Sequence, residues 1–438
     1  MSLTNSKNNN NFEKIDKINQ RVDLEKLLEV SELVSKIVIN IKNNGDKAVA
    51  EYSKNFDNYD VDLVDANPFS VKEELSLDEL GPELKAALKL AQSRIEEFHK
   101  HDLKHFNNKD WLFTGSHNEK LGAKVTALDS VAVYIPGGQA ALVSTLLMTV
   151  IPAQIAGVKR IAVFSPPEID KSIIALAQHL GIKEIYAIGG AQAVAAAAFG
   201  TQSIEKFDKV VGPGNIFVSE AKKMLNGIIG IDGIYGPSEL AILCDDTAKL
   251  EKLAIDLLSQ LEHGSGLEST LAVTTSKEIA EKLEAQLYAE VEKINYTEKQ
   301  KETIHSSIKN WSAIIYEANI DDAIKLINYY APEHLELQLN AENLAKAKVQ
   351  ITNAGAIFIG ENSCESLGDY LAGPSHCLPT AGSAKFSSGL QVSDFYKKTS
   401  IIDFSNSDQI NDLLEATAQI ARVEGLEAHA KAAQYRIK

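Results

Sequence analysis

The chain has 438 residues, 45% of them hydrophobic and 24% charged, the balance of a soluble globular protein with room for two or more domains. The 60 acidic and 44 basic residues leave a net charge of −16, which argues against nucleic acid and anionic membrane as partners. Three scattered cysteines, Cys244, Cys364 and Cys377, do not make a disulfide framework and read as reduced thiols of a cytoplasmic protein. No stretch can span a bilayer: the most apolar run, 140–156, is interrupted by Ser144, Pro152 and Gln154. Residues 1–20 lack the apolar centre of a secretory signal, and the Asn-rich tip up to Asn11 reads as disordered.

In chain order, residues 12–54 carry a helical pattern through Ile15, Ile18, Val22, Leu24, Leu27 and Leu28, then Val34, Ile37, Val38 and Ile41, with Gly45 as a stop. Residues 80–98 form a second helical stretch. The following His101 and His105 sit among Lys100, Asp102 and Lys104, as on a solvated helix end. At Ser130 the texture changes. Short apolar runs at 130–135, 160–164, 184–188 and 209–211 alternate with helical patterns, which predicts βαβ units and a parallel sheet. The alternation resumes with runs at 240–244, 270–274 and 313–316. The expected fold class is therefore α/β, with two doubly wound Rossmann-like domains and helical N- and C-terminal extensions. Ligands of such sheets bind beyond the carboxyl ends of the strands.

Glycine turns end three of these strands: Pro136-Gly-Gly138, Gly189-Gly-Ala-Gln192 and Gly212-Pro-Gly-Asn215. The last follows a strand and opens a helix, as a phosphate-binding turn does, but Phe217 replaces the third glycine of the dinucleotide fingerprint. A nucleotide site is consistent with these turns, and so are ordinary tight turns.

Residues 256–264 end an amphipathic helix, with Gln260 at the edge of its apolar stripe and His263 one step further round. The pair can share a metal ion, or His263 can simply ease the helix dipole beside a surface Gln. Pro332-Glu-His334 puts two ionisable groups at a strand start, where neighbouring side chains point to opposite faces unless the backbone is irregular. They read as a base and a water-activating carboxylate, or as a surface pair. Residues 363–389 are rich in Gly, Ser and Pro and read as a long functional loop, in which Asp369 offers a hard oxygen ligand. A strand at 400–404 and a polar-faced helix over 409–436, with His429 facing solvent, close the chain.

In order and spacing these motifs, with Ile231-Asp232, Gly236-Pro-Ser-Glu239, residues 256–264, Pro332-Glu-His-Leu335, Gly368-Asp369 and Leu378-Pro-Thr380, resemble the histidinol dehydrogenase family over nearly the whole chain after its N-terminal arm. The resemblance implies a zinc- and NAD-dependent oxidoreductase. Such an enzyme converts L-histidinol to L-histidine through the aldehyde with two NAD, the last steps of histidine biosynthesis. In matching positions Gln260, His263, Asp369 and His429 ligate one zinc per subunit, and Ser238, His334 and Glu424 hold substrate with them. Tyr134, Gln192 and Asn215 contact NAD, His334 is the alcohol base, and Glu333 activates water. The family is an intertwined homodimer, so Glu424 and His429 are expected in the partner's site. This divides the chain into an arm (1–25), a first α/β domain (26–130 plus 238–331) and a second, nucleotide-binding α/β domain (131–237). A catalytic and glycine-rich loop region (332–385) and a C-terminal extension that crosses over (386–438) follow. Tyr235, Ile255 and Ser375 depart from the family pattern without removing a named group. A zinc hydrolase using Glu333, or a non-catalytic binding protein, are the rival readings.

Overall fold

A computed structural model describes residues 6–21, 24–106, 108–137, 141–407 and 409–437. Gly138 of the first glycine turn and Val22 of the first helical pattern lie outside the described residues. The chain divides into a larger unit, 1–104 with 128–395, and a smaller one, 105–127 with 396–438.

The larger unit opens with α1 (Ser6–Asn19), α2 (Leu24–Asn44), α3 (Asp46–Asp57) and α4 (Pro82–His105). The Asn-rich tip is thus helical from Ser6, against the expectation of disorder. Ile15 and Ile18 explain it, since both are fully buried on the second sheet described below, each contributing about 1.5–3 kcal/mol.

The chain then runs through β1 (Trp111–Thr114) and β2 (Lys120–Ala127) of the smaller unit before the first parallel sheet begins. That sheet is built from β3 (Ser130–Tyr134), α5 (Val143–Ala156), β4 (Arg160–Ser165), α6 (Lys171–His179), β5 (Glu184–Ala187), α7 (Gly190–Phe199), β6 (Lys209–Val211), α8 (Ile216–Leu225) and β7 (Gly230–Ile231). Its order is β5-β4-β3-β6-β7, all parallel. Helices α2, α7 and α8 share one core with it, around Ile37, Val194 and Val218.

The second sheet follows with β8 (Glu239–Cys244), α9 (Leu250–Leu261), β9 (Ser269–Thr274), α10 (Lys277–Lys293), α11 (Glu298–Trp311), β10 (Ser312–Tyr316), α12 (Ile320–Tyr330), β11 (His334–Gln338), α13 (Ala341–Gln350) and β12 (Ala356–Ile359). Its order is β10-β9-β8-β11-β12, again parallel. The two sheets therefore have the same winding, with the order reversing between β3 and β6 in one and between β8 and β11 in the other. In β8, Ala241 and Leu243 face α1, α12 and α13, while Leu240, Ile242 and Cys244 face α9, α10 and α11. A strand covered on both faces must be apolar throughout, which is why β3, β8, β9 and β11 are buried along their whole length.

The glycine-rich stretch contains a short helix, α14 (Glu365–Tyr370), rather than loop throughout. In the smaller unit β1, β2 and β13 (Tyr396–Asp403) form an antiparallel sheet. The single C-terminal helix expected over 409–436 is two, α15 (Asn411–Val423) and α16 (Glu427–Gln434), broken where Gly425 takes φ +77°. These helices pack on one another through Ala418, Ala421, Ala430 and Ala433.

Candidate active site

At the carboxyl ends of β3 and β6 the first sheet opens a cavity of about 300 Å³, lined by Tyr134, Gly137, Gly190, Gln192, Asn215 and Phe217 among others. The buried Tyr134 hydroxyl accepts the N–H of Gly190 at 3.0 Å, which fixes the start of α7. Burial pushes that phenol up to about 12, so it stays protonated and keeps a hydrogen to donate. Asn215 caps α8, its side-chain oxygen accepting from Phe217 and Val218 N–H at 3.1 Å. Gly212, at φ +109°, is forced: an added Cβ would lie 2.2 Å from the Tyr134 carbonyl oxygen. The turn is held from behind by the buried Lys222–Asp232 ion pair, in which Lys222 donates to the Gly212 carbonyl at 3.0 Å and Asp232 accepts the Gly212 N–H at 2.7 Å. Tyr235 lies against this pair, its ring 4.8 Å from the Lys222 ammonium.

The ionisable cluster gathers at the amino ends of β8 and β11 instead, contrary to the expectation that ligands sit beyond carboxyl ends. Helix α12 ends with Ala331 in the left-handed region (φ +54°), and Pro332 follows. That turn brings the adjacent Glu333 and His334 together, with 3.7 Å between His334 Nδ1 and Glu333 Oε2. Both are secured by one residue, Glu239. Its N–H donates to Glu333 Oε2 at 2.9 Å, and its carbonyl accepts from His334 Nδ1 at 3.1 Å. The Glu239 carboxylate is itself held by a buried ion pair with Arg21, just past α1, and by the Ala381 N–H at 2.9 Å. Arg21 also donates to the Leu267 carbonyl at 2.9 Å.

With Nδ1 so occupied, His334 presents Nε2 to Asp369, 3.6 Å away, while Glu365 Oε1 lies 3.8 Å from Nδ1. Among the described residues, His334, Glu365 and Asp369 form a group whose ligand atoms lie close enough to hold one metal ion. Burial opposes charge on His334, but Glu333, Asp369 and Glu365 outweigh it and lift the ring to about 10. Burial likewise pushes Glu333 up to about 7, against the pull of His334, and Glu365 to about 6. Asp369 is held low: its burial is outweighed by the neighbouring His334, with His376 and His263 adding to the pull. Deeper still, burial and the neighbouring Asp256 raise Glu336 to about 9.

Gln260, in the last turn of α9, is fully buried, and its Oε1 has no hydrogen-bond partner. Helix α9 stops at Leu261, so His263 lies just past the last turn and is exposed. Its Nδ1 donates to the Gln260 carbonyl at 2.9 Å, leaving Nε2 as the available lone pair. Glu365, Asp369 and Glu333 act on His263 electrostatically, so it belongs to the same cluster. His376 donates from Nδ1 to the Asp369 carbonyl at 3.1 Å, and its Nε2 meets the Thr145 hydroxyl at 3.1 Å. A cavity of about 520 Å³ opens beside His334, Phe358, Gly368 and His376.

The residues singled out in the sequence fall into three places. Tyr134, Gln192 and Asn215 share the cavity of the first sheet. Gln260, His263, Glu333, His334 and Asp369 gather at the second sheet, with Ser238 part-buried immediately before Glu239. Glu424 and His429 are exposed in the smaller unit. Sequence reasoning missed Glu365, Glu239 and Arg21. Glu365 carried a signal, an acid four residues before Asp369 at the spacing of one helix face. Of the departures, Ile255 is 39% exposed, which removes it from the core, and Ser375 accepts the Cys377 N–H at 3.3 Å.

A family model described as Histidinol dehydrogenase matches residues 20–437. The histidinol dehydrogenase of Lactococcus lactis is 42% identical over 412 residues, 93% of each chain. That of Bacillus subtilis is 42% identical over 414 residues, again 93% of each. A crystal structure of histidinol dehydrogenase from Elizabethkingia anophelis superposes with a TM-score of 0.80 at 34% identity, covering 95% of this chain and 96% of that one.

Proposed function

This chain belongs to the histidinol dehydrogenase family, and on that premise we propose that it oxidises L-histidinol to L-histidine through L-histidinal, with zinc bound and two NAD consumed, as the final steps of histidine biosynthesis. The observation that carries the reading is local. One residue's backbone fixes both Glu333 and His334, and in the last turn of α9 a buried Gln260 oxygen has no hydrogen-bond partner.

The donors fit a divalent cation. An orphaned amide oxygen, a carboxylate and an imidazole whose other nitrogen is already tied are the mixed N and O set that suits zinc. Gln260, His263 and Asp369 would hold it, with His429 supplied by a second copy of the chain. The cavity of the first sheet fits the dinucleotide: Tyr134, Gln192 and Asn215 would contact it, near the N-termini of α7 and α8. When bound, the metal supplies positive charge that anchors the substrate amine and imidazole, and NAD supplies the hydride acceptor.

The chain's own residues do the proton work. His334 presents Nε2 to the substrate hydroxyl. The carboxylates Glu333, Asp369 and Glu365 keep a proton on this ring, and neutralising their charge lets Nε2 take the alcohol proton as hydride leaves carbon. Glu333 changes charge near neutral pH, as the base for water adding to the aldehyde should. From the hydrated aldehyde His334 would take a hydroxyl proton as the second hydride leaves for the second NAD, and ionisation of the resulting acid to solvent gives the carboxylate. Ser238 and Glu424 would orient the substrate with the metal ligands.

We read the assembly as a homodimer with shared sites. Glu424 and His429 are exposed, and the smaller unit also exposes Trp111, Leu112, Phe113, Ile420 and Val423, apolar surface a second copy would cover. The cytoplasm is its expected location, in keeping with three unpaired cysteines.

The test counts NADH formed per L-histidinol, before and after chelation and zinc return. About two per substrate, lost on chelation and restored by zinc, is the expected result. A protein that retains zinc yet forms no NADH would overturn this reading in favour of the zinc hydrolase.

A further inference from the structure

Helix α3 ends at Asp57, which lines the cavity shared by Tyr134, Gln192 and Asn215. This acid is badly placed for stability. It sits at a helix C-terminus, where the dipole disfavours negative charge. Its Oδ2 is buried and has no hydrogen-bond partner. Burial is the resolved influence on its carboxyl, pushing its pKa above the ordinary aspartate value with no cation in compensation. The described lining of the cavity contains no Lys or Arg, and it includes the apolar Leu33, Ile37 and Phe56. An acceptor oxygen held in an apolar wall at such cost calls for a donor brought by a ligand.

The ligand's chemistry follows from what the wall offers. A carboxylate with a spare lone pair accepts from neutral hydroxyls and repels phosphate. The N-termini of α7 and α8, which suit phosphate, lie elsewhere in the same cavity. A vicinal diol attached to a phosphate, as in a ribose 5′-phosphate, satisfies both ends at once. We propose that Asp57 is the ribose-reading residue of this pocket: its carboxylate accepts the 2′- and 3′-hydroxyls of the adenosine ribose of NAD and excludes the 2′-phosphate of NADP. The inference rests on the nucleotide reading of the cavity and adds its specificity. A 2′-phosphate would meet Asp57 with no cation to pair it, a desolvated like-charge contact.

Calorimetric titration of the zinc-loaded full-length protein with NAD and with NADP tests this, on wild type, Asp57→Asn, Asp57→Ala and Gln192→Ala. Wild type should bind NAD at least about 100-fold tighter than NADP. Both Asp57 variants should lose about 10- to 100-fold in NAD affinity without a matching loss for NADP, so the preference narrows. Melting without nucleotide should show Asp57→Asn at least as stable as wild type, since it relieves an uncompensated buried charge. An unchanged NAD/NADP ratio in the Asp57 variants, with Gln192→Ala weakening NAD, would overturn the role of Asp57 and leave the nucleotide site standing. If Gln192→Ala and both Asp57 variants all bind NAD like wild type, the site itself is misread and the proposal falls with it.

Discussion

In the first sheet the chain leaves β3 and β6 at their carboxyl ends into glycine turns, with a buried Lys–Asp pair behind them and no cation in the described lining of the cavity. In the second, wound in the same order, the ionisable groups gather at the amino ends of β8 and β11. Identical winding therefore does not dictate which edge is used. The difference follows from charge. Phosphates are bound by backbone N–H groups and helix N-termini and would be repelled by carboxylates. Glu333, Glu365 and Asp369 have the chemistry to hold a cation and a proton, and they sit where α9, β11 and α14 converge, so on the proposed reading the two chemistries are kept on separate sheets.

The contrast predicts that each end can be disabled without the other. His334→Ala should cut turnover by about 10³-fold or more while NAD affinity by titration stays within about twofold. A parallel collapse of NAD binding would show that the two ends are one site energetically. Gln260→Ala should weaken zinc at least the roughly 10- to 100-fold that even an outer ligand partner costs, measured by competition with a chelator. Retained zinc affinity would place the ion on His334, Glu365 and Asp369 alone. At the other end, Asn215→Ala should remove the α8 cap at about 1 kcal/mol and lower Tm by about 1 °C, with weaker NAD and unchanged zinc.

The finest test is pH. Without metal, His334 is raised from 6.5 to about 10 in the fold, so its stabilisation is complete below pH 6.5 and is lost as pH rises toward 10. Glu333, raised from 4.5 to about 7, tilts stability the same way between those values. Urea unfolding of chelated protein should show stability falling from pH 6.5 to 10, and His334→Gln should flatten that slope. A slope unaltered by the substitution would remove the carboxylate cluster as its cause.

Most of the scaffold was legible because parallel strands covered on both faces must be apolar and their crossings must be helical; the pattern from β3 to α8 follows the sequence closely. The pairs Gln260–His263 and Glu333–His334 were legible because a helix end and a proline-led strand start each constrain two neighbours. The amino-end position of the second site was not, because only the return of α9, α12 and α14 to one edge reveals it. The helix over the Asn-rich tip was misread because local composition outweighed two buried isoleucines further along. Arg21 had no signal at all, since nothing near it in sequence explains a buried guanidinium.

That guanidinium has a consequence for how the protein is made. Arg21 leaves the ribosome 218 residues ahead of the Glu239 it pairs with, and Glu239 must in turn meet Glu333 and His334, synthesised later still. Until those segments emerge, the arm carries a charged side chain that water must solvate, and Ile15 and Ile18 have no sheet to cover. Closing so long a loop is slow relative to local helix formation. The arm therefore docks late in folding, and a nascent chain stalled before the last strands of the second sheet cannot own a set Glu333–His334 pair. Competence for chemistry arrives only once the earliest residues made have found some of the later ones.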